Sequence, residues 1–569
     1  MTINDWLCII LLPLITAALA FPLGEFMANV FSGAKTFLTP LVAPVERILY
    51  RLLGVDEKEE MSWQTYAFSL VIFNIIGIAA LFILQLAQGK LPFNPQKLGA
   101  VRWDTALNTA ISFVTNTNWQ SYSGEQTMSY LTQMLGMTVQ NFLSAAVGIA
   151  AVVAVIRGFV RKTSRTIGNI WVDLTRSIFY VLLPLAIIWS LLLVSQGVVQ
   201  TLSGSITAHT PEGSQQIISV GPVASQEAIK EIGTNGGGFF NANSAHPLEN
   251  PTPVTDFLEI LGLLLIPMAL PFTFGAMLKN RRQGAAIFAA MMILYLAGLG
   301  FFASVEMHGN PLLQKIGVVN GLNMEGKEVR SGIMNSVLFA QSTTTTSCGA
   351  VNSMHDSMIP LSGVILLFNM TIGEVIFGGV GVGLIGMLSY AMLTMFLAGL
   401  MIGRTPELLG KKLELFEMVM SIIIILSPAI LLLALSGIAV SIQAGINASL
   451  NNSGPHGLSE IFYAFASTAG NNGSAFAGLN ASTIFYNLTT SLAMLIGRFS
   501  TIIPALAIAG SLASKKTVPA SIATFPTTGL LFVIMLVGVI IVVGALTFFP
   551  VFTLGPILEH LLLLTGKTF

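Results

Sequence analysis

Charge is what this sequence has least of. Only 9% of its 569 residues are Asp, Glu, Lys or Arg, against 54% hydrophobic, and the mean hydropathy is +0.79. A soluble domain carries about a quarter charged residues, so the scarcity excludes one and makes the chain an integral membrane protein. Formal net charge is zero, and the 26 basic residues are spread over short loops rather than gathered on one face, which argues against nucleic acid as a partner. Cysteine is nearly absent. Cys8 and Cys348 lie far apart in apolar or glycine-rich settings, which gives neither a disulfide framework nor a zinc pattern, and redox chemistry is not expected. The N-terminus lacks the basic region of a secretory signal, with Asp5 its only early charge, so residues 4–30 are expected to stay as a membrane helix. Lys, Glu and His inside the apolar runs are too few for the proton relays or haem ligands of a respiratory subunit. No DKTGT phosphorylation sequence occurs, so the chain is not expected to hydrolyse ATP, and any pumping energy must come from a partner. Gly381, Gly383 and Gly386 spell GxGxxG, yet no strand precedes them, and Gly566-Lys567-Thr568 has Leu561 where a Walker motif needs glycine.

Long apolar runs are what is there. Stretches of the ~20 residues that cross a bilayer fall near 4–30, 63–89, 128–156, 171–199, 256–279, 284–304, 357–401, 415–441, 482–512 and 527–549. The expected fold is an all-α membrane protein with ten transmembrane helices. Lys35, Arg47, Arg51 and Lys58, then Arg157, Arg161, Lys162 and Arg165, then Lys279, Arg281 and Arg282, then Arg404, Lys411 and Lys412, and finally Lys515 and Lys516 share one side. By the positive-inside rule that side is cytoplasmic and both termini face outward. His246, His308, His355 and His456 sit on outer loops at unrelated spacing, which suits hydrogen bonding in loops better than metal binding.

Between these runs one pattern recurs. EIGTNGGGFFNAN (Glu231 to Asn243) carries three successive glycines, which reach backbone angles closed to other residues and leave their carbonyls unshielded. NNGSAFAGLN (Asn471 to Asn480) repeats its spacing, TTTTSCGAVN (Thr343 to Asn352) has Cys348-Gly349 at the same step, and TNTNWQSYSGE (Thr115 to Glu125) has no glycine there. The copies recur at intervals of roughly 110 to 125 residues, each between a short apolar or amphipathic run and a long one. The reading is a fourfold internal repeat of helix, re-entrant pore loop, helix around a central filter, with one extra helix at each end. Its divisions fall at 1–62 for the first helix and a cytoplasmic loop, 63–165, 166–282, 283–414 and 415–516 for the repeats, and 517–569 for the last helix and an outer tail. Ordinary Gly/Asn turns would explain one copy but account poorly for four.

Rings of backbone carbonyls on re-entrant loops can replace the hydration shell of a potassium ion, and short helices entering each loop would aim their negative C-terminal ends at it. The candidate K+ filter comprises Thr115, Asn116, Thr117, Asn118 and Gln120 in the first loop, Thr234, Asn235, Gly236 and Gly237 in the second, Thr346, Ser347, Cys348 and Gly349 in the third, and Asn471, Asn472 and Gly473 in the fourth. Their side chains are expected either to add oxygens to the ion or to hold the loops by hydrogen bonds. The seventh run carries six glycines between Met370 and Gly386, each costing about 1 kcal/mol in a helix interior, so a break is expected there, lining the path or acting as a gate. Glu374 lies in that break and Arg498 in the ninth helix. The expectation is that Arg498 bars straight passage of a cation and Glu374 helps attract or gate it, against the alternative of a mutual ion pair or snorkelling that merely satisfies each charge. Arg404 reads as a positive-inside or subunit-contact residue.

TNTNWQSYSGE, GTNGGGFFNANSAHPLENP, TTTTSCGAVNSMHDS, NNGSAFAGLN and IGRF (Ile496 to Phe499) together resemble the KdpA family, the potassium-binding subunits of bacterial Kdp potassium pumps, over essentially the whole length. The resemblance implies a fold of the potassium transporter superfamily, a place in the inner membrane, and a KdpFABC complex with the P-type ATPase subunit KdpB, the accessory subunits KdpC and KdpF, and membrane lipids. It implies no enzymatic activity and no ATP site on this chain, with K+ as the transported ion passed sideways to the ATPase subunit. It also sets Gln120 in register with Gly236, Gly349 and Gly473. The alternative class is a stand-alone potassium channel or cation symporter of the Trk, Ktr and HKT type.

Overall fold

The computed structural model describes residues 3–318, 321–403, 405–447, 449–517 and 525–567; Arg404 and Thr568, singled out in the sequence, lie outside them. Among the described residues ten helices are long and apolar enough to cross a membrane, as expected. The first is α1 (Ile3–Phe31), and α2 (Thr39–Leu53) follows on the connection to α3 (Trp63–Ala87). That connection was expected as a plain loop. Next come α4 (Trp103–Val114), the spans α5 (Thr132–Val160) and α6 (Ile170–Ser195), and the short α7 (Val223–Ile232). The spans α8 (Pro253–Met277) and α9 (Arg281–His308) lead to α10 (Gly332–Thr345). Then come α11 (Pro360–Thr371) and α12 (Val382–Ile402), α13 (Leu415–Ser441), α14 (Gly454–Gly470) and α15 (Ile484–Ser514), and α16 (Leu530–Phe552) is the last long span.

Burial sorts the spans into two shells. In α3, α6, α9 and α13 only 22%, 39%, 44% and 33% of the most apolar window is buried, whereas in α5, α8, α12 and α15 the share is 83%, 83%, 67% and 67%. The first group leaves most of its apolar side chains exposed and the second packs around the centre. Small residues make that packing close. Gly158 on α5 sits where a Cβ would lie 2.7 Å from the Cα of Ala509 on α15, the approach that lets membrane helices associate without a hydrophobic driving force.

Four helices, α4, α7, α10 and α14, have 12, 10, 14 and 17 residues, too short to span a bilayer of ~20 residues. Each stands between an outer-shell and an inner-shell span and runs into one of the four repeated loops. The expected seventh span is in fact two helices, α11 and α12, separated by residues 372–381. Glu374, Phe377, Gly373 and Gly381 have positive φ there, so the glycines break the helix where their cost predicted. Outside the membrane helices, the connection from 204 to 216 contains part of a small antiparallel hairpin, β1 (Ile206–His209) with β2 (Gln215–Ile218), which composition alone did not indicate.

Candidate functional site

Each short helix ends in the same backbone signature. After the C-caps of α4, α7 and α10, φ turns positive at Asn116, Thr234 and Ser347, and in the fourth loop at Asn471, the cap of α14 itself. Two residues later it is positive again, at Asn118, Gly236, Gly349 and Gly473. Alternating the sign of φ turns successive peptide planes the same way, so the carbonyls between these positions face one side. That conformation favours glycine and, next best, asparagine. The register of the first loop therefore differs from the motif match: Asn118 occupies the step of the three glycines. Gln120 stands two residues further along, donating to the Gly238 carbonyl and accepting from its N–H, both at 3.2 Å.

The loops close on one another. A Cβ placed on Gly236 would collide with the carbonyl oxygen of Cys348, one on Gly349 with that of Asn472, and one on Gly473 with that of Thr117. These contacts run from the second loop to the third, the third to the fourth and the fourth to the first. Gly237 completes the circuit, since a Cβ there would lie 2.7 Å from the Asn118 Cβ and 3.0 Å from its carbonyl oxygen. Thr117, Asn235, Cys348 and Asn472 thus hold equivalent places, each with its carbonyl just before the positive-φ step.

The side chains hold this ring by hydrogen bonds, while Asn118 Oδ1 and Asn235 Oδ1 are left without a partner. Asn116 Nδ2 donates to Thr234 O at 3.0 Å while its Oδ1 accepts from Asn235 Nδ2 at 2.6 Å and from Ser144 on α5 at 2.8 Å. Asn471 donates to Thr117 Oγ1 at 2.8 Å and Asn472 to Thr343 O at 3.0 Å. Asn118 reaches Asn141 on α5 at 2.7 Å, Thr115 and Thr346 bond back to carbonyls one turn earlier, and Cys348 Sγ rests 3.5 Å from Glu231. Of the two roles expected for these side chains, supporting the loops is the one their hydrogen bonds display.

Cavities flank the ring. On one side a cavity of about 680 Å3 is lined by residues that follow the loops, among them Gln120, Asn241, Val351 and Ala475. On the other side lies one of about 40 Å3, bounded by Asn116, Ser347, Asn471, Gly379, Glu374 and Arg498. Glu374 contacts Ser347 Oγ, and its Oε1 has no hydrogen-bond partner. Arg498 donates from Nη2 to Ser144 O at 2.9 Å and leaves Nε unpartnered. No ion pair joins Glu374 and Arg498 among the described residues, so they do not satisfy each other.

Sequence reading missed the support behind the second loop. Lys230, fully buried at the end of α7, contacts Glu227 at 2.8 Å, Glu249 at 2.5 Å, Glu231 at 3.7 Å and Asn243 Oδ1 at 2.9 Å. Asn243 in turn donates to the Gly236 carbonyl at 2.7 Å, tying the charges to the ring. Gly238 leaves the space that Glu249 and Lys230 fill. His355 and His456 make hydrogen bonds beside the loops. Burial holds His355 near 3 on the pKa scale, helped by Lys327, and its Nδ1 meets Tyr463 at 2.7 Å. Burial opposes charge on His456 too, but hydrogen bonds to Asp356 and Glu559, at 2.7 and 2.8 Å, outweigh it and push its pKa up to about 10.

The whole chain matches known proteins. The family described as "KdpA: Potassium-transporting ATPase A subunit" matches residues 10–561. A protein of Methylorubrum extorquens is 54% identical over 569 residues, covering 100% of this chain and 99% of its own length. One from Brucella anthropi is 54% identical with 100% of both covered, and one from Herpetosiphon aurantiacus is 56% identical, covering 96% of this chain and 97% of its own. All three are named potassium-transporting ATPase potassium-binding subunit.

Proposed function

The chain belongs to the family of potassium-transporting ATPase A subunits, and from that premise we propose that its four loops form the filter that selects the ion. It is a multi-pass membrane protein and the potassium-binding, non-catalytic subunit of an ATP-driven potassium transporter. The carbonyls of Thr117, Asn235, Cys348 and Asn472 coordinate dehydrated K+, and the negative ends of α4, α7, α10 and α14 favour it without a fixed carboxylate at the site. The observation that carries this reading is the closed circuit of contacts in which three glycines sit against the next loop's carbonyl. The repeat divisions set out above assign one loop to each quarter.

Ions enter from the outer cavity, on the side of both termini, in the inner membrane. Beneath the ring, Arg498 bars straight passage, and Glu374 in the break between α11 and α12 draws the ion sideways. The receiving partner is the P-type ATPase subunit KdpB, with KdpC and KdpF completing the complex, and ATP is bound there rather than on this chain. Relatives named as ATPase subunits over full length favour this over a stand-alone channel or symporter. The test is potassium-stimulated ATP hydrolysis by the complex purified with its native partners. Gly236→Asp is expected to abolish the potassium response; an unaltered response would overturn the filter assignment. Arg498→Gln is expected to change the ions moved per ATP in vesicles while the complex still assembles, and unchanged transport would discard the barrier.

A further inference from the structure

Among the described residues, nothing covers one apolar face of helix α2. It begins after a connection of seven residues, 32–38, from the end of span α1, so it stays at the membrane boundary. One side is fixed to the protein through buried Val42, Glu46 and Tyr50. Glu46 Oε1 accepts from the Tyr50 hydroxyl at 2.6 Å and from Arg176 Nε at 3.1 Å, and Oε2 accepts from the Tyr180 hydroxyl at 3.2 Å. With that side anchored, the helix cannot roll. A second side presents Leu41, Val45, Ile48 and Leu52 at steps of four, three and four, with 75%, 40%, 58% and 75% exposure, and Phe37 just before it is 81% exposed. In the sector between that stripe and the Tyr50 edge of the anchored side, one turn apart, come exposed Arg47 and Arg51. Arg51 forms no ion pair among the described residues, and Arg47 bonds only the Ala43 carbonyl, at 3.2 Å.

We propose that α2 is an in-plane membrane helix that binds anionic phospholipid, its apolar stripe seated among acyl chains and Arg47 and Arg51 on headgroup phosphates. A stripe of this length continuous with a membrane span has hydrocarbon as its surroundings, and a basic edge beside it sits at headgroup level. The two arginines supply the charge complementarity, because basic residues at an anionic leaflet each add about a fivefold preference. Free phosphate meets the arginines alone; only a lipid engages both edges. The choice of leaflet rests on the orientation proposed above. An impermeant maleimide on Lys58→Cys reads that separately, and its failure would move the helix to the other leaflet without touching the insertion.

The test uses the complete complex, in a Cys8→Ser background, in vesicles of phosphatidylcholine with or without phosphatidylglycerol. A spin label on Ile48→Cys is expected to be mobile, accessible to oxygen and shielded from an aqueous nickel chelate. Arg47→Gln with Arg51→Gln is expected to lower the preference for phosphatidylglycerol over phosphatidylcholine by about 30-fold, while the double Lys variant keeps it. Potassium-stimulated hydrolysis in phosphatidylcholine alone shows that each variant is folded. A label open to the chelate, a label immobilised and shielded from both reagents by another subunit, or an unchanged lipid preference in the double Gln variant would each overturn the proposal.

Discussion

The first and second loops meet the same demand with opposite residues. The second spends three glycines, Gly236, Gly237 and Gly238, whereas the first has Asn118, Trp119 and Gln120 at the same steps. They are complementary rather than independent: the first loop keeps a side chain on its positive-φ residue, and Gly237 gives up its own to leave room for it. Loops three and four, which face no such side chain, have Ala350 and Ser474 in the place of Gly237. Departure from fourfold symmetry in one loop is thus offset by a departure in its neighbour.

Substituting adjacent glycines breaks this pair most severely at Gly236. Its φ of +80° disfavours any side chain, and a Cβ would strike the Cys348 carbonyl, which is backbone and cannot rotate away. Gly236→Ala is expected to weaken potassium activation of ATP hydrolysis by about 100-fold or more, equivalent to about 2.7 kcal/mol. Titrating the hydrolysis rate against potassium reads it directly. A near-normal half-saturation would show that the ring tolerates being opened.

Removing the charge support of the second loop comes next in its effect on the potassium response, and acts mainly on stability. The first loop leans on neutral groups, the Asn141 amide and the Ser144 hydroxyl among them, while the second leans on Lys230 within a set of buried carboxylates. Lys230→Met leaves Glu227 and Glu249 without their cation, a change that typically costs about 3–5 kcal/mol when one partner of a buried pair is removed. Thermal unfolding of the purified complex is expected to shift down markedly, more than for Asn141→Ala. Equal shifts would mean that the charges are no more than an equivalent of the amides.

Gly237 itself ranks third. Its φ is not positive, so Gly237→Ala carries a purely steric penalty, the contact with Asn118, of about 1–3 kcal/mol for overpacking. Potassium half-saturation is expected to rise clearly less than for Gly236→Ala. A larger effect at Gly237 than at Gly236 would reverse the assignment of which carbonyls face the ion.

Much of this arrangement was legible in the sequence, for physical reasons that differ by part. Ten spans follow from apolar runs because a bilayer demands length, and the break before Val382 follows from glycines that cannot hold a helix against their entropy. The loops announced themselves through Gly and Asn, the residues that tolerate positive φ. The register of the first loop did not, because an alignment anchored on glycine has no anchor at Asn118, although asparagine is the next residue that adopts that conformation. Lys230 escaped notice because one partner, Glu249, returns from beyond the loop, 19 residues on, as well as others from its own helix. Helix α2 was hidden by the search for long runs: its 15 residues show their period only when Leu41, Val45, Ile48 and Leu52 are placed on a wheel.

The smallest expected effect is the most discriminating. Asn118→Gly alone removes the hydrogen bond to Asn141 and a side chain from the ring, at a cost of about 0.5–1.5 kcal/mol for one neutral bond, and a slight rise in half-saturation is expected. Combined with Gly237→Ala it also takes away two of the three atoms that the new methyl would strike, the Cβ and Nδ2 of Asn118, leaving only its carbonyl at 3.0 Å. The double variant should therefore bind potassium better than Gly237→Ala, with a coupling of about 0.5–3 kcal/mol, the range seen for residues in contact. Measuring all four corners of that cycle by potassium titration separates complementarity from coincidence: strictly additive effects would mean that the asparagine of the first loop and the extra glycine of the second have nothing to do with each other.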